Sequence, residues 1–189
     1  MPERVLLRRF TPEDLDDLAA LHGDPRVMRY IDDGRPVARE TVARQTLPRI
    51  LNQYALLPEG LGSSALVERE TGAFLGWVSL APATSVGLEE YIGHALELGY
   101  RLLPAAWGRG YAVEGARALL RSAFEGRAAF GYDRVVATTM TVNSASRRVM
   151  QKAGLHYIRT FFADWPDPIE GAEQGDVVYG RTRADWLER

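Results

Sequence analysis

The chain contains no cysteine, which removes disulfide frameworks, thiol nucleophiles and thiolate metal sites together. No apolar run approaches the roughly 20 residues of a membrane span. The opening residues carry Glu3 and Arg4 rather than an apolar signal segment, so the expected location is cytoplasmic, with no membrane partner. Charge is nearly balanced, at a formal net of -2, which gives no electrostatic basis for nucleic-acid binding. Several catalytic signatures are also missing. There is no Gly-x-x-x-x-Gly-Lys-Ser/Thr loop, no dinucleotide fingerprint with a third glycine, and no Gly-x-Ser-x-Gly elbow. His22, His94 and His156 are scattered and form neither a nucleophile–base arrangement nor a metal-ligand spacing.

What is present suits one globular domain over residues 1–189. Hydrophobic residues make up 46%, enough for a sizeable core at this length. No linker, repeat or low-complexity segment divides the chain. Val5–Phe10 reads as a strand. Thr11-Pro12-Glu13-Asp14 then opens a helix with a capping hydroxyl, a proline at the first helical position and acids in the first turn. A second helix is expected over about Arg39 to Asn52, kinked or split at Pro48. Ser64–Glu68 and Phe74–Leu80 form a hairpin around Gly72, and Leu96–Leu103 is the next strand. The final strands are expected at Arg134–Met140, Leu155–Ala163 and Asp176–Arg183. This order predicts an α+β (mixed α/β) fold, a mostly antiparallel twisted sheet with one parallel central pair, flanked by helices.

The most informative stretch is Trp107-Gly108-Arg109-Gly110-Tyr111-Ala112, between the strand at 96–103 and an amphipathic helical run. Two glycines one residue apart allow a sharp bend and close backbone approach to a ligand. A turn feeding a helix leaves amides unpaired at the positive end of the helix dipole, which is an anion site with phosphates as usual occupants. The alternative is a plain strand-to-helix turn. Downstream, the Arg134–Met140 strand runs into Asn143-Ser144-Ala145-Ser146, and the segment closes at Lys152-Ala153-Gly154. Asn143 reads as an N-cap and Gly154 as a C-terminal stop.

Pro104, the Trp107–Ala112 loop, Glu114, Asn143-x-x-Ser146 and Lys152-Ala153-Gly154-Leu155 resemble the GNAT superfamily of acetyl-CoA-dependent N-acetyltransferases. Residues 3–14, 24–30 and 176–180 are similar to the branch containing ribosomal-protein N-terminal acetyltransferases. The resemblance implies acetyl-CoA as co-substrate, with its pyrophosphate on the backbone of Gly108, Arg109, Gly110, Tyr111 and Ala112. It also implies that Leu102 lends backbone groups to the pantetheine arm and that Asn143 hydrogen-bonds the same arm, besides or instead of capping its helix. The Arg109 side chain either adds charge or faces solvent. Trp107 departs from the glutamine or arginine common at that position. A second departure is Met150, where many members carry a tyrosine that protonates the leaving thiolate; methionine has no proton to give.

Under that resemblance, Ser146 or a water becomes the acid, and Glu97 is the best-placed carboxylate for a base. The other role for Glu97 is pairing with Arg101, two residues along the same strand face. Glu114 is expected to stabilise its helix start. The acceptor is an amine. Asp164, Asp167, Glu170, Glu173 and Asp176 lie in a stretch without Lys or Arg, which either favours a cationic amine or is a solvated hairpin. An α-amine (pKa about 7.7–8.0) needs less help to become neutral than lysine (about 10.4). Peptide N-termini are therefore expected ahead of small amines such as aminoglycosides or polyamines. A silent acyl-CoA sensor and a homodimer both remain open.

Overall fold

The computed structural model describes residues 3–125 and 131–188. In chain order the elements are β1 (Val5–Arg8), a 3-10 turn at Pro12–Asp14, α1 (Leu15–His22), α2 (Pro25–Met28) and α3 (Arg39–Thr41). A π turn at Val42–Thr46 leads into α4 (Leu47–Leu56), then β2 (Gly62–Glu68), β3 (Phe74–Pro82) and β4 (Ala95–Leu102). The rest comprises α5 (Tyr111–Glu125), β5 (Arg134–Met140), α6 (Ser144–Ala153), β6 (His156–Phe161), β7 (Asp176–Thr182) and α7 (Arg183–Leu187). The seven strands form a sheet in the order β1-β2-β3-β4-β5-β7-β6. β4 and β5 are the parallel pair, with Ala95 opposite Arg134 and Glu97 opposite Val136. The pairing ends there, although β4 continues to Leu102. The expected mixed α/β architecture is the one observed.

Two compact units divide the chain. One comprises residues 1–79 and 99–115, the other residues 80–98 and 116–189. In the first, β1 runs antiparallel to β2, Val5 opposite Glu68 and Arg8 opposite Ala65. Its core gathers Phe10, Leu18, Leu21, Val27, Val42, Leu47, Ile50 and Ala65. Asp14 is buried because it closes the helix start. It accepts from the Thr11 amide at 2.8 Å and takes both terminal nitrogens of Arg8, at 2.8 and 2.6 Å. The helix expected to be split by Pro48 is split just before it: the Leu47 amide bonds the Val42 carbonyl, the signature of a π turn. Gly76 lets β3 press against β4, since a Cβ there would stand 2.6 Å from the Leu102 Cα.

In the second unit β5 pairs antiparallel with β7 along its whole length, Arg134 opposite Thr182 and Met140 opposite Asp176. β6 pairs with β7 through a bulge between Tyr157 and Arg159. Ala83, Leu88, Tyr91, Ala95, Val136 and Val178 form a core closed by Phe161. The last expected strand stops at Thr182, whose hydroxyl accepts from the Asp185 amide at 3.1 Å and caps α7. The chain end packs through Trp186, which stacks near Phe124 and donates to Glu125 at 2.6 Å.

Candidate active site

The glycine loop belongs to the first unit. Pro104–Ala106 forms a single 3-10 turn, and Gly108 and Gly110 both take positive φ, at 72° and 86°. Only glycine adopts this backbone without strain. Arg109 stands between the two glycines, and Tyr111 and Ala112 open α5, where the Glu114 amide reaches the Gly110 carbonyl at 3.1 Å. Among the described residues, no backbone acceptor serves the amides from Gly108 to Val113. That is the donor row an anion needs.

The side chains around the loop rearrange the expectation. Trp107, half exposed, donates its indole N–H to the Leu102 carbonyl at 2.8 Å, tying the loop to the end of β4. Tyr111 is 2% exposed and donates its hydroxyl to Glu68, so it offers the loop only its backbone. That hydrogen bond raises the Tyr111 phenol and holds the Glu68 carboxyl below its ordinary value. Arg109 stays exposed but folds back over the loop. Its guanidinium lies 4.9 Å from the Tyr111 ring centroid and 3.7 Å from Glu68. Arg4 covers the same ring at 4.9 Å, pairs with Glu114 and donates to the Arg109 carbonyl at 2.9 Å. Two arginines and two glutamates cancel here, so attraction for phosphate rests on the amides and the helix dipole.

The candidate base lies in the second unit, and the expected Glu97–Arg101 pair does not form. Glu97 instead accepts both of its close contacts from the exposed Ser85 hydroxyl, at 2.8 and 2.7 Å. Ser85 sits in the loop between β3 and β4, and Arg159 of β6 fixes that loop. Arg159 donates to Glu90 at 3.0 and 2.9 Å and to the Gly87 carbonyl at 2.7 Å. Sequence reading missed Ser85 because nothing in its local pattern marks it.

Asn143 caps α6, accepting from the Ser146 amide at 3.2 Å while its amide nitrogen donates to Thr139 at 3.1 Å. Ser146 stands partly buried in the first turn of that helix. Met150, one turn on, is 1% exposed and serves the core. In the acidic stretch, Asp176 is buried and receives the Trp165 indole at 3.3 Å. Burial raises its carboxyl above the ordinary value.

Arg101 finds its partners within the first unit. Its Nη1 lies 3.0 Å from His22 Nδ1 and 3.4 Å from the Met28 sulfur, and its guanidinium sits 5.4 Å from the Trp77 ring centroid. Burial, followed by the Arg101 and Arg49 charges, lowers His22 to about 4. Burial also brings Arg101 down to about 10. Among the described residues, no group of three or more His, Asp or Glu side chains is placed to hold a metal. No helix there is long and apolar enough to cross a membrane.

Residues 4–156 match the acetyltransferase (GNAT) domain family. An Aspergillus fumigatus protein named FsC-acetyl coenzyme A-N(2)-transacetylase is 39% identical over 165 residues, covering 87% of this chain and 67% of that one. An uncharacterized Bacillus subtilis protein, YkkB, is 32% identical over 88% of this chain and 90% of its own length. A GNAT-family acetyltransferase from Bacillus anthracis shares the fold at a TM-score of 0.74 and 22% identity, over 97% of this chain and 98% of that one. The chain belongs to the GNAT acetyltransferase domain family. It is an acetyl-CoA-dependent N-acetyltransferase.

Proposed function

We propose that the chain acetylates an α-amino group, carried by a peptide N-terminus or by an amino-acid-like small molecule. The observation that carries the cofactor half is the row of amides from Gly108 to Val113 behind two positive-φ glycines. These amides fit the pyrophosphate of acetyl-CoA. The Leu102 backbone and Asn143 are the proposed partners of its pantetheine arm, and the Trp107 indole leaves Leu102 its amide and one carbonyl lone pair for that role.

Acetyl-CoA supplies the activated acetyl group, and the chain's own residues handle the protons. An amine must lose one proton as its nitrogen bonds the acetyl carbon, and the departing thiolate must gain one. Glu97 takes the first, directly or through the Ser85 hydroxyl that already faces it. Ser146 or a water gives the second, since the helix position matching the family tyrosine is a buried methionine.

The α-amine reading rests on two supports. Such an amine is substantially neutral near pH 8, so a weak base is sufficient. In addition, the 39% identical relative is named for transfer to a nitrogen designated N(2). The same name favours a small-molecule acceptor as a second reading. The motifs similar to the ribosomal-protein branch favour a peptide N-terminus.

Thiol release from acetyl-CoA, followed across peptide N-termini, amino acids, polyamines and aminoglycosides, tests the proposal. Turnover confined to polyamines or aminoglycosides would sink the α-amine reading. No binding of acetyl-CoA at millimolar concentration would sink the cofactor site.

A further inference from the structure

Of the acids at positions 164, 167, 170, 173 and 176, the first four stand exposed and the last does not. Asp176, at the head of β7, keeps only 9% of its surface. Its Oδ2 accepts from the Trp165 indole at 3.3 Å. Among the described residues no arginine, lysine or histidine pairs with it, and that neutral indole alone opposes the effect of burial. A buried carboxylate is normally paired, because desolvating a lone charge is costly. Oδ1 accepts from no described group, yet it is not sealed from solvent. Two aromatic rings flank the same spot although solvent reaches both, Trp165 at 39% and Phe162 at 73% exposure. The Phe162 ring lies against Gly175, the residue before Asp176, where a Cβ would stand 2.9 Å from its Cε1. A carboxylate with an unused oxygen beside two exposed rings is the composition that receives an organic cation.

The carboxylate also belongs to the sheet face of the proposed base. Glu97 stands opposite Val136 of β5, and Met140, four residues on, stands opposite Asp176. Paired residues share a face and alternate positions keep it, so Glu97, half-buried Thr138 and Asp176 follow one another across it. All three lie in the second unit. Four residues along β5 and two strand spacings put the Glu97 and Asp176 Cα atoms roughly 16 Å apart. We propose that Asp176, with Trp165 and Phe162, binds a second cationic group of the acceptor, an ammonium or guanidinium several bonds from the amine that is acetylated. This rests on the α-amine reading above and narrows its substrate class to peptides or amino-acid-like molecules that carry a further positive charge. At that separation one amine does not reach both carboxylates, so Asp176 holds the acceptor and takes no part in proton transfer.

The test follows thiol release from acetyl-CoA with short peptides bearing lysine at the second, third or fourth position, each against the same peptide with norleucine there. Wild-type kcat/KM should be at least about tenfold higher for lysine at the best-fitting position, the worth of one hydrogen bond to a charged group, with the gain in KM rather than kcat. Asp176→Asn keeps an oxygen for the Trp165 indole and deletes the charge, so it should bring the lysine peptides down to the norleucine level. Phe162→Ala, at an exposed ring, should cut the lysine preference several-fold. Equal rates for lysine and norleucine peptides in the wild-type protein, or a preference that survives either variant in full, overturn the proposal. Calorimetry of the Nα-acetylated lysine and norleucine peptides, with the wild-type protein saturated with CoA, reads the cation site without turnover. Tighter binding of the lysine form there with no thiol release from any α-amine would uphold the cation site and refute the α-amine reading instead. Equal binding would refute the cation site itself.

Discussion

The Trp107 indole reaches back five residues to hydrogen-bond the Leu102 carbonyl at 2.8 Å, so the loop proposed to receive the cofactor phosphates is fastened to the strand proposed to receive its arm. Trp107→Phe keeps the ring and deletes the donor. Acetyl-CoA affinity should fall several-fold, about the worth of one neutral hydrogen bond, while the melting temperature moves little. Unchanged affinity by titration calorimetry would show that the fastening is dispensable.

Gly110→Val should weaken acetyl-CoA binding far more than Asn143→Ala. The first forces a β-branched residue to φ near 86° and places its Cβ 3.3 Å from the Arg4 guanidinium. The second removes an N-cap worth about 1 kcal/mol along with one proposed contact to the arm. Calorimetry on the two folded variants gives the order directly, and the reverse order would move the phosphate site away from the loop.

Glu97→Gln should preserve acetyl-CoA affinity and lower turnover by about 100-fold. Ser85→Ala should lower it less, because water can occupy the hydroxyl position beside the carboxylate. The Glu97→Gln deficit should shrink as pH rises and the amine becomes neutral unaided. Near-normal turnover in both variants would leave a scaffold that works mainly by positioning.

His22 makes a pH prediction about stability. The folded protein holds its pKa at about 4 against an ordinary 6.5, so between those values the unfolded chain takes up a proton that the folded protein refuses. Stability is therefore complete above pH 6.5 and falls as pH drops toward 4, by up to about 3 kcal/mol. His22→Gln should flatten denaturant midpoints over this window. A slope that persists in the variant would assign the proton uptake to another group.

The sequence shows its local signals well. Arg134–Met140 is a strand with the expected bounds, and α6 begins after Asn143 and stops at Gly154 as the cap residues indicate. What it hides is long-range partnership. Residues two apart on a strand look like natural ion-pair partners, yet Glu97 finds Ser85 and Arg101 finds His22, 79 positions away. Both choices depend on which loop or helix covers the strand, and periodicity carries no such information. α7 had a readable signal in Thr182-x-x-Asp185, a capping box that the apolar run of β7 obscured. The fate of Arg109 could not be read either, since the ring it folds onto is covered by Arg4 and tied to Glu68 of β2, both distant in sequence.

The π turn before Pro48 changes how this helical stretch tolerates insertion and loss. Val42 and Leu47 both face the core although they are five residues apart, whereas Leu47 and Ile50 keep ordinary helical spacing. The extra residue is absorbed in one widened turn, leaving the helix on either side in phase. Deleting one residue between Val42 and Leu47 would return the segment to an α turn with the same side chains still inward. Deleting one within α4 would swing Ile50 by roughly 100° out of the core. The segment therefore carries its own slack, confined to a single turn, and chain-length variation in relatives should concentrate there.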